Sequence, residues 1–153
     1  MDLYGILLFV HIVAIAAWVG GGIMLEVIIE KAVASNDASR VKALADDAET
    51  LGQRFFGPSS GIALLAGVWL VFEGGWGWGQ PFVWAGLIGF ALSTILGFGI
   101  LVPTGKKVQE GLAVPGAALD SVRGELVRLR NISRLDTLLL IVVIFFMTVK
   151  PGT

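Results

Sequence analysis

The sequence predicts an all-α integral membrane protein, a four-helix bundle of spans with two cytoplasmic amphipathic helices and both termini external. Three observations predict it. The 153-residue chain is 56% hydrophobic with a mean hydropathy of +0.84, more apolar sequence than one soluble core of this length can hide. Four apolar stretches stand at lengths suited to a hydrocarbon layer about 30 Å thick. All but one of the eleven Lys and Arg residues fall in two of the segments between them, as expected of loops on the inner side. The net charge of -1 argues against nucleic acid as a partner. Without cysteine there is no disulfide, thiolate site or iron–sulfur cluster.

The first span runs from Leu3 to about Ile29, longer than the bilayer requires, so it tilts or projects inward. Ala32-Val33-Ala34 resembles a signal-peptide cleavage site. The amino terminus, however, carries Asp2 and no basic residue, and Glu26, Glu30 and Lys31 intervene, so a retained span is expected. In the polar stretch Glu30 to Arg54, Asn36 or Asp37 can cap a helix. Val41, Leu44, Ala48, Leu51 and Phe55 then repeat at helical spacing. That pattern predicts an amphipathic helix lying on the membrane surface, broken by Gly57-Pro58, which opens the second span at roughly Phe55 to Phe72.

The turn Glu73 to Gln80 holds Gly74-Gly75-Trp76-Gly77-Trp78-Gly79 and, with Trp69 and Trp84, supplies the aromatic belt of one interface. It lacks the Lys, Ser and Thr of a phosphate loop. The third span is Pro81 to Val102, where Ala85, Gly89, Ser93 and Gly97 form a small-residue stripe that admits another helix closely. In the segment Pro103 to Arg134, Gly105, Gly111 and Pro115-Gly116 are turn signals, and Leu119, Val122, Leu126 and Leu129 mark a second amphipathic helix. No breaker separates it from the fourth span, Leu135 to Val149, so the two can form one long helix. That span is only about 22 Å long, and its flanks Arg134 and Lys150 would snorkel.

Lys31, Arg40, Lys42 and Arg54 lie in the first long loop. Lys106, Lys107, Arg123, Arg128, Arg130 and Arg134 lie in the second, and only Lys150 on the other side. Both long loops are therefore expected to be cytoplasmic.

The candidate site centres on His11, the only histidine. It stands about 12 Å into the first span, in the outer half of the bilayer. Its helix face carries Ala14, Ile15, Trp18, Gly22 and Ile29. A polar ring there must find a partner. A neutral imidazole in a low dielectric suits haem iron or copper; the alternatives are a hydrogen bond to a neighbouring helix, as interhelical glue, and a proton relay. Trp18 could wall a flat macrocycle or simply pack, and Gly20-Gly21-Gly22 could admit a porphyrin edge or another backbone. A bis-histidine haem within one chain is excluded, which leaves Met147, then Lys150, as second ligands, or else a single-ligand haem or one shared between two copies. Glu26, Glu30, Arg134 and Asp136 are expected to cluster at the inner interface, as a charge network or as a proton or ion path. No nucleophile triad, zinc cluster, Walker loop or dinucleotide fingerprint is present.

The pattern His11-x6-Trp18-x-Gly20-Gly21 in a first span resembles the opening of the bacterial CopD-like and HemJ-like membrane proteins. The ending Phe146-Met147-Thr148-Val149-Lys150-Pro151-Gly152 is similar to that of a related uncharacterised family of four-span bacterial membrane proteins. Pro103 and the basic second loop also fit that family. The HemJ resemblance implies haem ligation by the first-span histidine, here His11. This chain lacks the further basic and histidine residues which that family places after its first span, so protoporphyrinogen oxidation does not carry over. The CopD resemblance implies copper uptake, for which one His and three Met are a meagre set.

Three functional expectations follow. One is a haem b or porphyrin protein of the bacterial inner membrane with a redox or tetrapyrrole-handling role. Another is a non-catalytic accessory or assembly subunit, a homo-oligomer or part of a larger membrane complex in the lipid bilayer. The third is a copper or other metal permease.

Overall fold

In the computed structural model, which describes residues 2–151, the chain forms four long helices. They are α1 (Leu3–Ala34), α2 (Ala38–Glu73), α3 (Pro81–Leu112) and α4 (Leu119–Val149). Each is long and apolar enough to cross a membrane. Large apolar side chains lie open on the outside of the bundle, Leu65 at 71% and Phe98 at 69% exposure, a surface that belongs against lipid tails.

The first correction concerns helix ends. α1 continues past Ile29 to Ala34, where the Ser35 hydroxyl caps Ala32 O at 2.6 Å. The segment expected to lie flat on the membrane is instead the first part of α2. The helix does not break at Gly57-Pro58 but passes through a wide π turn, Gly52–Phe56, in which Gly57 N–H reaches Gly52 O. α3 does the same beyond its span: Gly97–Leu101 is a π turn closed by Val102 N–H on Gly97 O, one residue before Pro103. Proline removes an N–H and collides with the carbonyl four residues back. The extra residue in each turn relieves that conflict and keeps the helix going.

Of the turn signals in the second loop only Pro115-Gly116 makes a turn, with Gly116 at φ +79°. Gly105 and Gly111 lie inside α3. Gly111 is required there because a Cβ would collide with Val122 of α4. α4 opens with a short 3-10 turn, Leu119–Val122, and then runs without interruption from Arg123 to Val149, as the absence of a breaker implied.

The polar halves of the helices therefore project together and have their own core. Ala32 of α1, Val41 of α2, Val108 and Leu112 of α3, and Leu119 and Val122 of α4 bury one another. Val41 and Leu44 of the first amphipathic segment, and Leu119, Val122, Leu126 and Leu129 of the second, are spent on this core, while Leu51 and Phe55 lie outside it and stay exposed. At the opposite end Val71, Phe82 and Val83 form a second cluster, with Trp76, Leu87 and Met147 against it.

Between the two cores, α1 packs chiefly on α2 and α3 on α4. The α3–α4 seam is the small-residue stripe: Met147 lies on Gly86, Val143 on Gly89, and Ser93 faces Asp136.

Two outcomes are expected. Gly89→Ala places a methyl against Val143 and costs about 1–3 kcal/mol; Val143→Ala in the same chain returns part of it, read from thermal unfolding in detergent micelles. Asp37, at the start of α2, accepts from Ser39 Oγ at 2.6 Å, Ser39 N–H at 3.0 Å and Arg40 N–H at 3.2 Å. These bonds, the Ser39 hydroxyl first, hold its carboxyl below the usual aspartate value. The stabilisation is thus present above the unfolded-chain pKa and lost as pH falls through the lower folded one. Asp37→Ala lowers the unfolding temperature at pH 7, and the gap to the parent closes as the scan is moved into acid.

Candidate functional site

His11 is carried by α1 and turned toward α2. Its Nδ1 lies 2.7 Å from the carbonyl oxygen of Ala63. A carbonyl can only accept, so Nδ1 carries the proton and, in the neutral ring, Nε2 keeps a lone pair. Among the described residues Nε2 has no hydrogen-bond partner. The ring can reach Ala63 because residue 67, one turn further along α2, is glycine: a Cβ there would stand 2.8 Å from His11 Cε1. Ala63 and Gly67 thus form a small-residue notch into which the imidazole is set, and Ala63 is itself buried.

The other residues expected near the ring take different places. Trp18 packs edge-on against Phe90 of α3, with centroids 5.9 Å apart, so it ties α1 to α3. Nothing stands within 4 Å of where a Cβ on Gly22 or Gly20 would be. Gly21 is the glycine of the triplet that a neighbour uses, since a Cβ there would meet the Phe55 ring at 2.7 Å.

Met147 lies on Gly86 of α3 and in the cluster with Trp76 and Phe82. It belongs to the α3–α4 seam and His11 to the α1–α2 seam, so the structure does not bring them together. Lys150 closes α4 in the left-handed region (φ 46°), with its ammonium 4.2 Å above Trp76 and 5.2 Å from Phe82. That is a cation over the aromatic belt. Among the described residues no group of three His, Cys, Asp or Glu side chains is placed to hold a metal ion.

The four charged residues expected to cluster divide three and one. Arg134 Nε donates to Glu26 at 3.2 Å, and its Nη2 donates to Glu30. This ties α4 to α1, and the Glu26 side chain is only 15% exposed. Asp136 does not join them. Two residues along a helix is a turn of about 200°, so Asp136 looks toward α3, where the Ser93 hydroxyl faces its carboxyl. Its Oδ1 is buried with no hydrogen-bond partner among the described residues.

Sequence reasoning missed Ala63 and Gly67 as the seat of the imidazole, and Phe90 as the partner of Trp18. The signal for the seat was present as a small-x3-small pair in the second span. Phe90 carried none, because an aromatic ring in a span is ordinary.

Arg134→Gln is expected to destabilise the protein by about 1 kcal/mol, because it leaves two carboxylates one turn apart. Glu30→Gln added to it recovers part of that loss, measured as a double-mutant cycle of thermal unfolding.

Residues 5–151 match the family described as "Predicted integral membrane protein (DUF2269)". No curated protein and no solved structure matches the chain. Four membrane-length helices and a match along nearly the full length agree: the chain belongs to this family of predicted integral membrane proteins.

Proposed function

We propose that this protein binds b-type haem, or a related porphyrin, in the outer half of a bacterial cytoplasmic membrane through Nε2 of His11. Its role on this reading is redox or tetrapyrrole handling. The observation that supports it is the bond from Nδ1 to Ala63 O. An imidazole that ligates a metal ordinarily donates its other N–H to a carbonyl or carboxylate, which sets the tautomer and the aim of the ligating nitrogen. Here that bond is made, and Nε2 has no other partner among the described residues. The likeness of His11-x6-Trp18-x-Gly20-Gly21 to HemJ-like proteins points the same way.

His11 Nε2 is the one group of the candidate set that would hold a haem iron, since Met147 is engaged on Gly86. A second ligand would have to come from another copy of the chain, as a homo-oligomer would allow. A bound haem would supply one-electron chemistry. The chain's own part is to hold the imidazole and fix its tautomer through the Nδ1 bond to Ala63 O. Both termini face outside, and the basic ends of the helices lie in the cytoplasm.

A second reading rests on the Gly67 notch. There His11 is an interhelical clamp, and the protein is a non-catalytic accessory or assembly subunit of a larger membrane complex. Copper transport is the third reading, with the same nitrogen as ligand.

Absorption spectra of the purified protein from haem-replete cells, oxidised and reduced, with metal analysis of the same sample, separate the three. The haem reading gives a Soret band that His11→Ala abolishes. His11→Asn is the sharper variant, since its amide N–H can still reach Ala63 O while the ligating nitrogen is gone. It is expected to fold like the parent and be colourless. A colourless, metal-free parent whose only response to His11→Ala is a stability loss of about 1 kcal/mol overturns the haem reading in favour of the clamp. Stoichiometric copper without pigment favours the third.

A further inference from the structure

An open groove of about 190 Å³ lies between α1 and α2, lined by Gly21, Met24, Leu25, Ile28, Leu51, Phe55 and Phe56. Its walls are set by two features already described. The π turn at Gly52–Phe56 carries Phe55 and Phe56 toward α1, and Gly21 lets the Phe55 ring approach. Gly21 is about 27 Å and Ile28 about 37 Å along α1 from Leu3. The groove therefore crosses the boundary between hydrocarbon and headgroups, on the side where the basic residues are gathered.

Two cations flank it. Met24, Ile28 and Lys31 fall on one face of α1 at spacings of four and three, so Lys31 stands one turn beyond the groove's polar end. Arg54 is exposed on the π turn itself, beside Phe55. Among the described residues neither has an ion-pair partner. In contrast Glu30 and Glu26, on another face of α1, are taken up by Arg134. Asp46 and Glu49 of α2 are paired with Lys42 and Lys106, and Asp47 stands one turn before Leu51, which leaves the surroundings of the groove with a positive balance.

We infer that this groove is a binding site for one anionic phospholipid of the leaflet on the basic side. The glycerol and the first methylenes lie along Met24, Ile28, Leu51 and Phe55, and the phosphate sits between Lys31 and Arg54. Apolar walls at that depth suit the chain, and the two cations flanking the groove, Lys31 beyond its polar end and Arg54 beside Phe55 with a side chain long enough to reach toward that end, suit the phosphodiester and select against a zwitterionic headgroup. The site is separate from His11, which faces α2 at the other end of the bilayer.

Native mass spectrometry tests this on the whole protein, exchanged into micelles holding equal amounts of phosphatidylglycerol and phosphatidylcholine with the same acyl chains. One phosphatidylglycerol is expected to remain per protomer, with a preference of roughly tenfold. Lys31→Gln with Arg54→Gln brings the preference to parity. Met24 is 62% exposed, so Met24→Trp fills the groove without disturbing a core. It is expected to remove both lipids while the unfolding temperature stays that of the parent. The proposal is overturned if the parent shows no preference, or if the preference survives Lys31→Gln with Arg54→Gln. It is equally overturned if the preference is abolished instead by Lys107→Gln with Arg128→Gln on the basic surface of α3 and α4.

Discussion

Helices in a bilayer receive no hydrophobic drive toward one another, because lipid tails are as apolar as their own side chains. What remains is close contact, and close contact needs small residues where two helices meet. The seams of this protein are built that way. Gly86, Gly89 and Ser93 receive α4, while Ala63 and Gly67 receive α1. Everything polar inside the membrane is set by these approaches. His11 reaches a backbone oxygen because Gly67 lets the ring in, and Asp136 meets Ser93 because Gly89 lets Val143 in.

The same constraint explains the two π turns. Backbone groups in or near hydrocarbon must be satisfied within the chain, so a proline there cannot simply end a helix and leave carbonyls bare. Pro58 and Pro103 each follow a glycine-led wide turn in which the residue before the proline bonds five residues back. The helix bulges and goes on. As a result the polar segments leave the membrane along the helix axes rather than turning onto its surface, and four of them meet as a bundle with its own aliphatic core. Water supplies the hydrophobic drive that lipid does not. The projecting end therefore holds Val108, the largest side chain with almost no exposure, whereas the membrane part relies on alanine and glycine.

Much of the architecture was legible. Four apolar runs, the asymmetry of basic residues and the unbroken passage from Leu119 into the last span all pointed to what the helices do. The surface placement of the first polar segment failed for a definable reason. The apolar stripe Val41, Leu44, Ala48, Leu51 has the same pattern whether it faces lipid headgroups or three other helices, and Gly57-Pro58 is a breaker in water but a bulge here. In the candidate site, the charge pattern foretold Arg134 between Glu26 and Glu30. It could not foretell the departure of Asp136, which depends on which neighbour stands on the opposite side of α4.

Composition and periodicity are sums over single residues and single helices. By themselves they determined the solvent, the number of spans, the segments in which positive charge collects and the presence of one imidazole within the first span. Partner choice was left to tertiary structure: Ala63 and Gly67 for His11, Phe90 for Trp18, Gly86 for Met147, Ser93 for Asp136. Those pairings depend on the register between helices. Register is decided by where glycines and alanines on one helix meet bulk on the next, a property of two surfaces together that neither helix carries alone.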